Sequence, residues 1–173
     1  MKILKPNPSE YLGFNASYIA LCPNDGQLLK HLKSSLAEIT HFAASLTEQQ
    51  LNHRYAPDKW TMKEILVHLL DAERIFCYRA LRFARLDSTP LSGFDENIYT
   101  PASRANQRSI KDILAEFKAV RKATMALFKT FRPDSWLAIG MSNKNMVSVR
   151  ALAYLVLGHQ LHHVKVYKER YLL

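Results

Sequence analysis

The chain has 173 residues and a formal net charge of +9, from 24 Lys plus Arg against 15 Asp plus Glu. That length fits one domain over residues 1–173 and buries a core without disulfides or a structural metal; two cysteines outside any CxxC pattern, Cys22 and Cys77, exclude an oxidised scaffold and fit a cytoplasmic protein. The basic residues are spread rather than run together, with no zinc-finger, helix-turn-helix or RNP-like signature, so the charge reads as a solvated surface, compatible with an anionic small molecule, rather than a nucleic-acid footprint.

Five glycines, no convincing alternation of apolar and polar residues, and four long segments with apolar residues at three-and-four spacing give an all-α pattern. The opening "MKILKPNPSEYLGF" has no apolar stretch long enough for a signal peptide, and "SEYLGFNASYIAL" reads as a short N-terminal helical element packing across an end. The first long helix is expected over residues 26–46, striped by Leu28, Leu32, Leu36, Ile39, Phe42 and Leu46, with Asn24 or Asp25 as N-cap. The second covers residues 61–85, where "TMKE" pairs Thr61 with Glu64 in a capping box.

The connection over residues 87–107, "DSTPLSGFDENIYTPASRANQ", is long for a bundle. Its Leu91, Phe94, Ile98 and Tyr99 argue that it packs, as a crossover covering one end. A third helix starts near Ser109 and stops before Pro133, burying Ile113, Phe117, Val120, Leu127 and Phe131; a fourth starts near Ser148 and runs almost to the end. Together they imply an antiparallel-type four-helix bundle. No run approaches the roughly eighteen apolar residues of a membrane span.

"LGHQLHHVKVYKERY", residues 157–171, carries three histidines in five positions. Residues four apart on a helix lie one above the other, so His159 and His163 direct both imidazoles to one point, while His162 is rotated by roughly 60°. Seven histidines in 173 residues give roughly 0.24 such pairs by chance, so the pair alone is a weak signal. Its context strengthens it, because both residues continue the stripe of Leu152, Val156 and Val166 and so point inward. His68, in "WTMKEILVHLLDAER", falls on the stripe of Ile65, Leu69, Ala72 and Ile75 and is a third inward histidine. One histidine from one helix and a pair from another form a three-nitrogen face with open positions, as catalytic zinc sites do. On spacing alone, that site and a set of hydrogen-bonded core histidines stand equally open. Neutral imidazole suits zinc, nickel, iron and copper alike. His31, His41 and His53 fit surface positions.

The stretches "YAPDKWTMKEILVHLLDAERIFCYRALRFAR", "PLSGFDENIY" and "SVRALAYLVLGHQLHHVKVYKERYL" resemble the DinB superfamily, the DinB/YfiT-like metal-dependent enzymes, over nearly the whole chain. The resemblance implies a four-helix bundle with a variant of up-and-down topology and a divalent metal held by His68, His159 and His163. His162 matches an extra histidine that is not itself expected to bind. Zinc or nickel is the implied ion, with water or a substrate atom at an open position. Relatives include transferases and isomerases that use mycothiol, bacillithiol or related low-molecular-weight thiols, which implies such a thiol as cosubstrate, and relatives also form homodimers.

Around the histidines, Glu64 can accept a proton as a catalytic group or simply cap its helix, and Asp71 can receive an imidazole N–H or pair with an arginine. Tyr18, Tyr55 and Trp60 are candidates for the pocket mouth, Trp60 also as a packing residue at the start of the second helix. Arg74, Arg79, Arg82 and Arg85 read as a salt-bridged face, or as a means of capturing the carboxylates of a thiol. The expectation is a cytoplasmic metal-dependent enzyme acting on a small-molecule substrate, first a thiol-dependent S-transferase. The alternatives are a metal-dependent hydrolase and a non-catalytic basic bundle that binds a nucleic acid or protein partner.

Overall fold

In chain order the helices are α1 (Ala16–Ala20), α2 (Leu28–Ala44), α3 (Glu48–Asn52), α4 (Met62–Ala84), α5 (Glu96–Ala102), α6 (Ile110–Lys129) and α7 (Val149–Arg170), with strands β1 (Ile139–Ser142) and β2 (Asn145–Ser148) between the last two. They are seen in a computed structural model that describes residues 2–171; Met1, Leu172 and Leu173 of the expected domain lie outside the described residues. Three of the four long helices begin where a side-chain oxygen accepts an otherwise free N–H: Thr61 from Glu64, Ser109 from Asp112 and Ser148 from Ala151. The exception is α2, whose N-cap is Gln27 without a side-chain bond. Neither Asn24 nor Asp25 caps it: Asp25 accepts from the Gln27 N–H and pairs with His31, and Gly26 turns the chain at φ +73° just before the helix.

The long helices pack in a ring. Helix α4 lies against α6 and α7, and α2 lies against the same two, so α2 and α4 stand across one diagonal and α6 and α7 across the other. Two apolar clusters fix the directions. Leu28 and Leu32 of α2, Ala80 and Phe83 of α4, Phe128 of α6 and Leu152 of α7 share one cluster. Ile39 of α2, Leu66 of α4, Ile113 and Phe117 of α6 and Tyr167 of α7 share the other. Helices α2 and α7 therefore run one way and α4 and α6 the other, which is the variant of up-and-down topology implied by the resemblance. Two parallel neighbours in sequence, α4 and α6, require a connection as long as the bundle.

That connection differs from its expected form. It runs alongside α4 instead of covering one end, and residues 96–102 within it are helical, started by Asp95, which accepts from the Asn97 N–H. Leu91 and Phe94 pack inward, whereas Ile98 and Tyr99 are exposed. Leu91 bridges Ser142, tying the connection to the hairpin of β1 and β2. The hairpin was not expected from the sequence; its strands pair in antiparallel register, Ile139 with Ser148 through Ser142 with Asn145. Helix α3, started by a Thr47–Gln50 capping box, is likewise additional.

Between the two apolar clusters lies a polar belt. Arg121 of α6 donates from Nε and Nη2 to both carboxylate oxygens of Glu73 on α4, at 2.8 and 2.9 Å. It also donates to the Leu32 carbonyl, the Ser35 hydroxyl and the Gln160 side-chain oxygen. Thr124 donates to Glu73, and Gln160 donates to the Ser35 carbonyl. One belt thus joins all four long helices, at a level where an unpaired charge would cost several kcal/mol, on the order of 3–5.

Candidate metal centre

His68 enters from α4 and His159 and His163 from α7, across the α4–α7 contact. The His159 Nε2 lies 3.1 Å from the His68 Nε2 and 3.0 Å from the His163 Nε2, and one nitrogen from each of the three lies within 4.8 Å of the others. A neutral imidazole nitrogen offers one in-plane site, either a proton or a lone pair. The single site on the His159 Nε2 cannot serve two neighbours, so protons alone cannot satisfy this arrangement. A cation can: two nitrogens each about 2.0–2.1 Å from one ion stand about 2.9–3.4 Å apart at octahedral to tetrahedral angles. The donor set and its spacing fit a divalent ion. Among the described residues it is the one group of three such side chains.

Burial keeps the three rings neutral. It pushes His68 down to about 4, and with the neighbouring His68 and His162 it pushes His163 down to about 3. His159, the deepest, is held well below its ordinary value by burial and then by His163, His68 and His162. At neutral pH all three are ligands that need lose no proton from the coordinating nitrogen.

The cluster opens into a cavity of about 370 Å³. Trp60 tilts over His68 with ring centroids 4.7 Å apart, and Phe76 approaches His159 edge-on. Tyr18 meets the rings of both His159 and His162, at 5.4 and 4.9 Å. What brings Tyr18 so close is Gly158: a Cβ there would stand 2.2 Å from the Tyr18 carbonyl oxygen, so only glycine lets α1 lie against α7. Burial, then Glu96, raise the Tyr18 pKa, and its hydroxyl stays protonated at neutral pH.

The other sequence candidates fall into two groups. Tyr18, Trp60 and Arg79 line the cavity with the three histidines. Glu64 does not. Its carboxylate accepts from the Thr61 N–H, Arg54 and Asn106, all at the head of α4. Asp71 lies within 3.7 Å of Arg74, and Tyr55 packs on Tyr171. Arg74 pairs with Glu116, Arg82 with Asp87, and Arg85 lies over the Phe131 ring. His41 and His53 are exposed, and His31 is held by Asp25. Residues not singled out in the sequence also line the cavity: Phe76, Glu96, and Asn143, Asn145 and Met146 of the hairpin. Phe76, eight positions after His68 on the same helix, was detectable by spacing. The hairpin residues carried only the polar "SNKN" turn as a signal.

Against known proteins, the family model described as the DinB superfamily matches residues 31–166, which include all three histidines. Among solved structures, YfiT from Bacillus subtilis superposes with a TM-score of 0.78 at 16% sequence identity, over 95% of this chain and 91% of that one. It is described as "a probable metal-dependent hydrolase with an unusual four-helix bundle topology". At that identity the likeness concerns the fold. No curated protein matches.

Proposed function

The chain belongs to the DinB superfamily, and from that premise we propose that it is a metal-dependent enzyme in which His68, His159 and His163 hold a divalent ion, zinc or nickel, beside a small-molecule pocket. The observation that carries this reading is the meeting of three Nε2 atoms whose contacts protons cannot satisfy. An ion held by three neutral imidazoles keeps its double positive charge and favours the anion of a thiol or water next to it. Trp60, Tyr18 and Phe76 line the cavity beside that position with aromatic surface.

Thiol transfer to a small-molecule electrophile is the first reaction class. A thiol held beside the ion would lose its proton to solvent without a general base, and Glu64, one turn before His68 on α4, is already committed to three donors. Hydrolysis is the second reading, favoured by Glu96, a carboxylate on the cavity wall that can accept a proton from water, and by the description given to YfiT. Metal-loaded protein assayed on activated small-molecule electrophiles separates the two. Turnover that requires an added low-molecular-weight thiol is the expected result, and turnover that proceeds equally without it assigns the protein to hydrolysis.

A further inference from the structure

Of the arginines on α4, Arg79 is the one whose charge has no acidic partner among the described residues. It is 7% exposed, and among the described residues its only hydrogen bond is from Nη2 to the Ser92 carbonyl, at 2.9 Å. Among the described residues no carboxylate forms an ion pair with it, whereas Arg74 and Arg82 both have acids and Arg121 has Glu73. A guanidinium presents five N–H donors, and a buried cation without a counter-charge is costly. That cost is offset if an anion arrives from outside.

The position of Arg79 says where such an anion would sit. Arg79 follows His68 by eleven residues on one helix, which at 100° per residue returns it to nearly the same face, roughly 16 Å further along the axis. Side chains lean back toward a helix N-terminus, so the long arginine side chain shortens that gap. His68 and Arg79 line the same cavity, with Ala72 and Phe76 between them on the wall. Phe94 and the hairpin residues Asn143 and Asn145 line the same cavity. Glu96 lines the cavity as well, but its influence falls on Tyr18, whose pKa it raises, and it makes no ion pair with Arg79.

We propose that Arg79 is the anion-recognition residue of this pocket, binding the carboxylate of an elongated small molecule whose other end reaches the three histidines. The inference rests on the proposed metal site and adds the substrate class: a molecule with a metal-seeking head and an acidic tail. The Ser92 carbonyl holds one edge of the guanidinium and leaves the remaining donors for a planar oxyanion, which a lysine at this position would recognise less well.

The test uses the intact protein loaded with cobalt(II) or nickel(II). It is titrated with ω-mercaptocarboxylic acids of about four to ten methylenes, a span set by the separation along the helix, and with ω-mercaptoalcohols of equal length. Binding is read from the thiolate-to-metal charge-transfer absorption. The acid is expected to bind about ten- to a hundredfold more tightly than the alcohol at the best length. Arg79→Gln is expected to abolish that preference and Arg79→Lys to keep part of it. Equal affinities in the wild type overturn the proposal even where Arg79→Gln does not fold, and so does a preference that survives Arg79→Gln. Failure of the wild type to take up any metal overturns the metal centre itself, and is recorded before any thiol is added.

Discussion

Two polar clusters lie inside this bundle, and they are built on opposite rules. In the belt of Glu73, Arg121, Thr124, Gln160 and Ser35, donors face acceptors, and the central charge is matched by a carboxylate at two points. At the histidine cluster three nitrogens of one kind face one another, and among the described residues no carboxylate joins them. The belt is complete within the chain and holds four helices at one level. The cluster is complete only with something added, and it opens on a cavity while the belt does not. Burial alone does not separate a structural polar group from a functional one; whether the chain satisfies its own group does.

The sharpest way to break this comparison is at the belt. Arg121→Ala is expected to cost about 3–5 kcal/mol by leaving Glu73 buried and unpaired, as measured by urea unfolding. Arg121→Met with Glu73→Leu recovers most of the loss, because a matched apolar pair replaces a matched ionic one. Metal content per folded molecule stays unchanged in the double variant. A double variant as unstable as the single would show that the belt does more than balance its own charges.

At the cluster the opposite is expected. His163→Leu lowers metal content strongly, yet in the presence of a chelator its stability stays within about 1 kcal/mol of the wild type, since the single site on the His159 Nε2 can still be met by His68. A loss as large as that of Arg121→Ala would make His163 a structural residue. The wall of the cavity gives a smaller effect. Alanine inside a helix normally stabilises by about 1 kcal/mol over glycine, but Gly158→Ala drives a Cβ into the Tyr18 carbonyl and is expected to cost about 1–3 kcal/mol. Thermal unfolding gives the sign.

The smallest effect belongs to a closed pair near the chain start. Burial raises the pKa of Glu10, but hydrogen bonds from Arg150, the Asn7 N–H and Ser148 outweigh it and bring the carboxyl down to about 2. The folded-state value lies below the unfolded one, so the contribution is fully present above about pH 4.5 and is lost as the pH falls toward 2. Glu10→Gln is expected to flatten the stability profile in that window alone.

Much of this was legible in the sequence, for reasons that also explain what was not. The capping residues Thr61, Ser109 and Ser148 announced three helices because their chemistry is local. His68, His159 and His163 were found because they sit on apolar stripes. Arg121 and Glu73 sit on such faces too, but a charge on a helix reads as solvated until its partner on another helix is known. The hairpin escaped because Asn143 and Lys144 both adopt positive φ, 49° and 63°, without the glycine that usually marks such a turn. Residues 96–102 looked like loop because Pro101 lies within the helix. Arg79 resembled its neighbours on α4; only the partners of Arg74 and Arg82 set it apart.

Metal content tests the central claim most directly. Protein produced without a histidine tag, beside His68→Ala and His163→Ala, is analysed for bound elements per folded chain. The account predicts about one divalent ion in the wild type and far less in each variant; equal metal in all three, or none in the wild type, would contradict it.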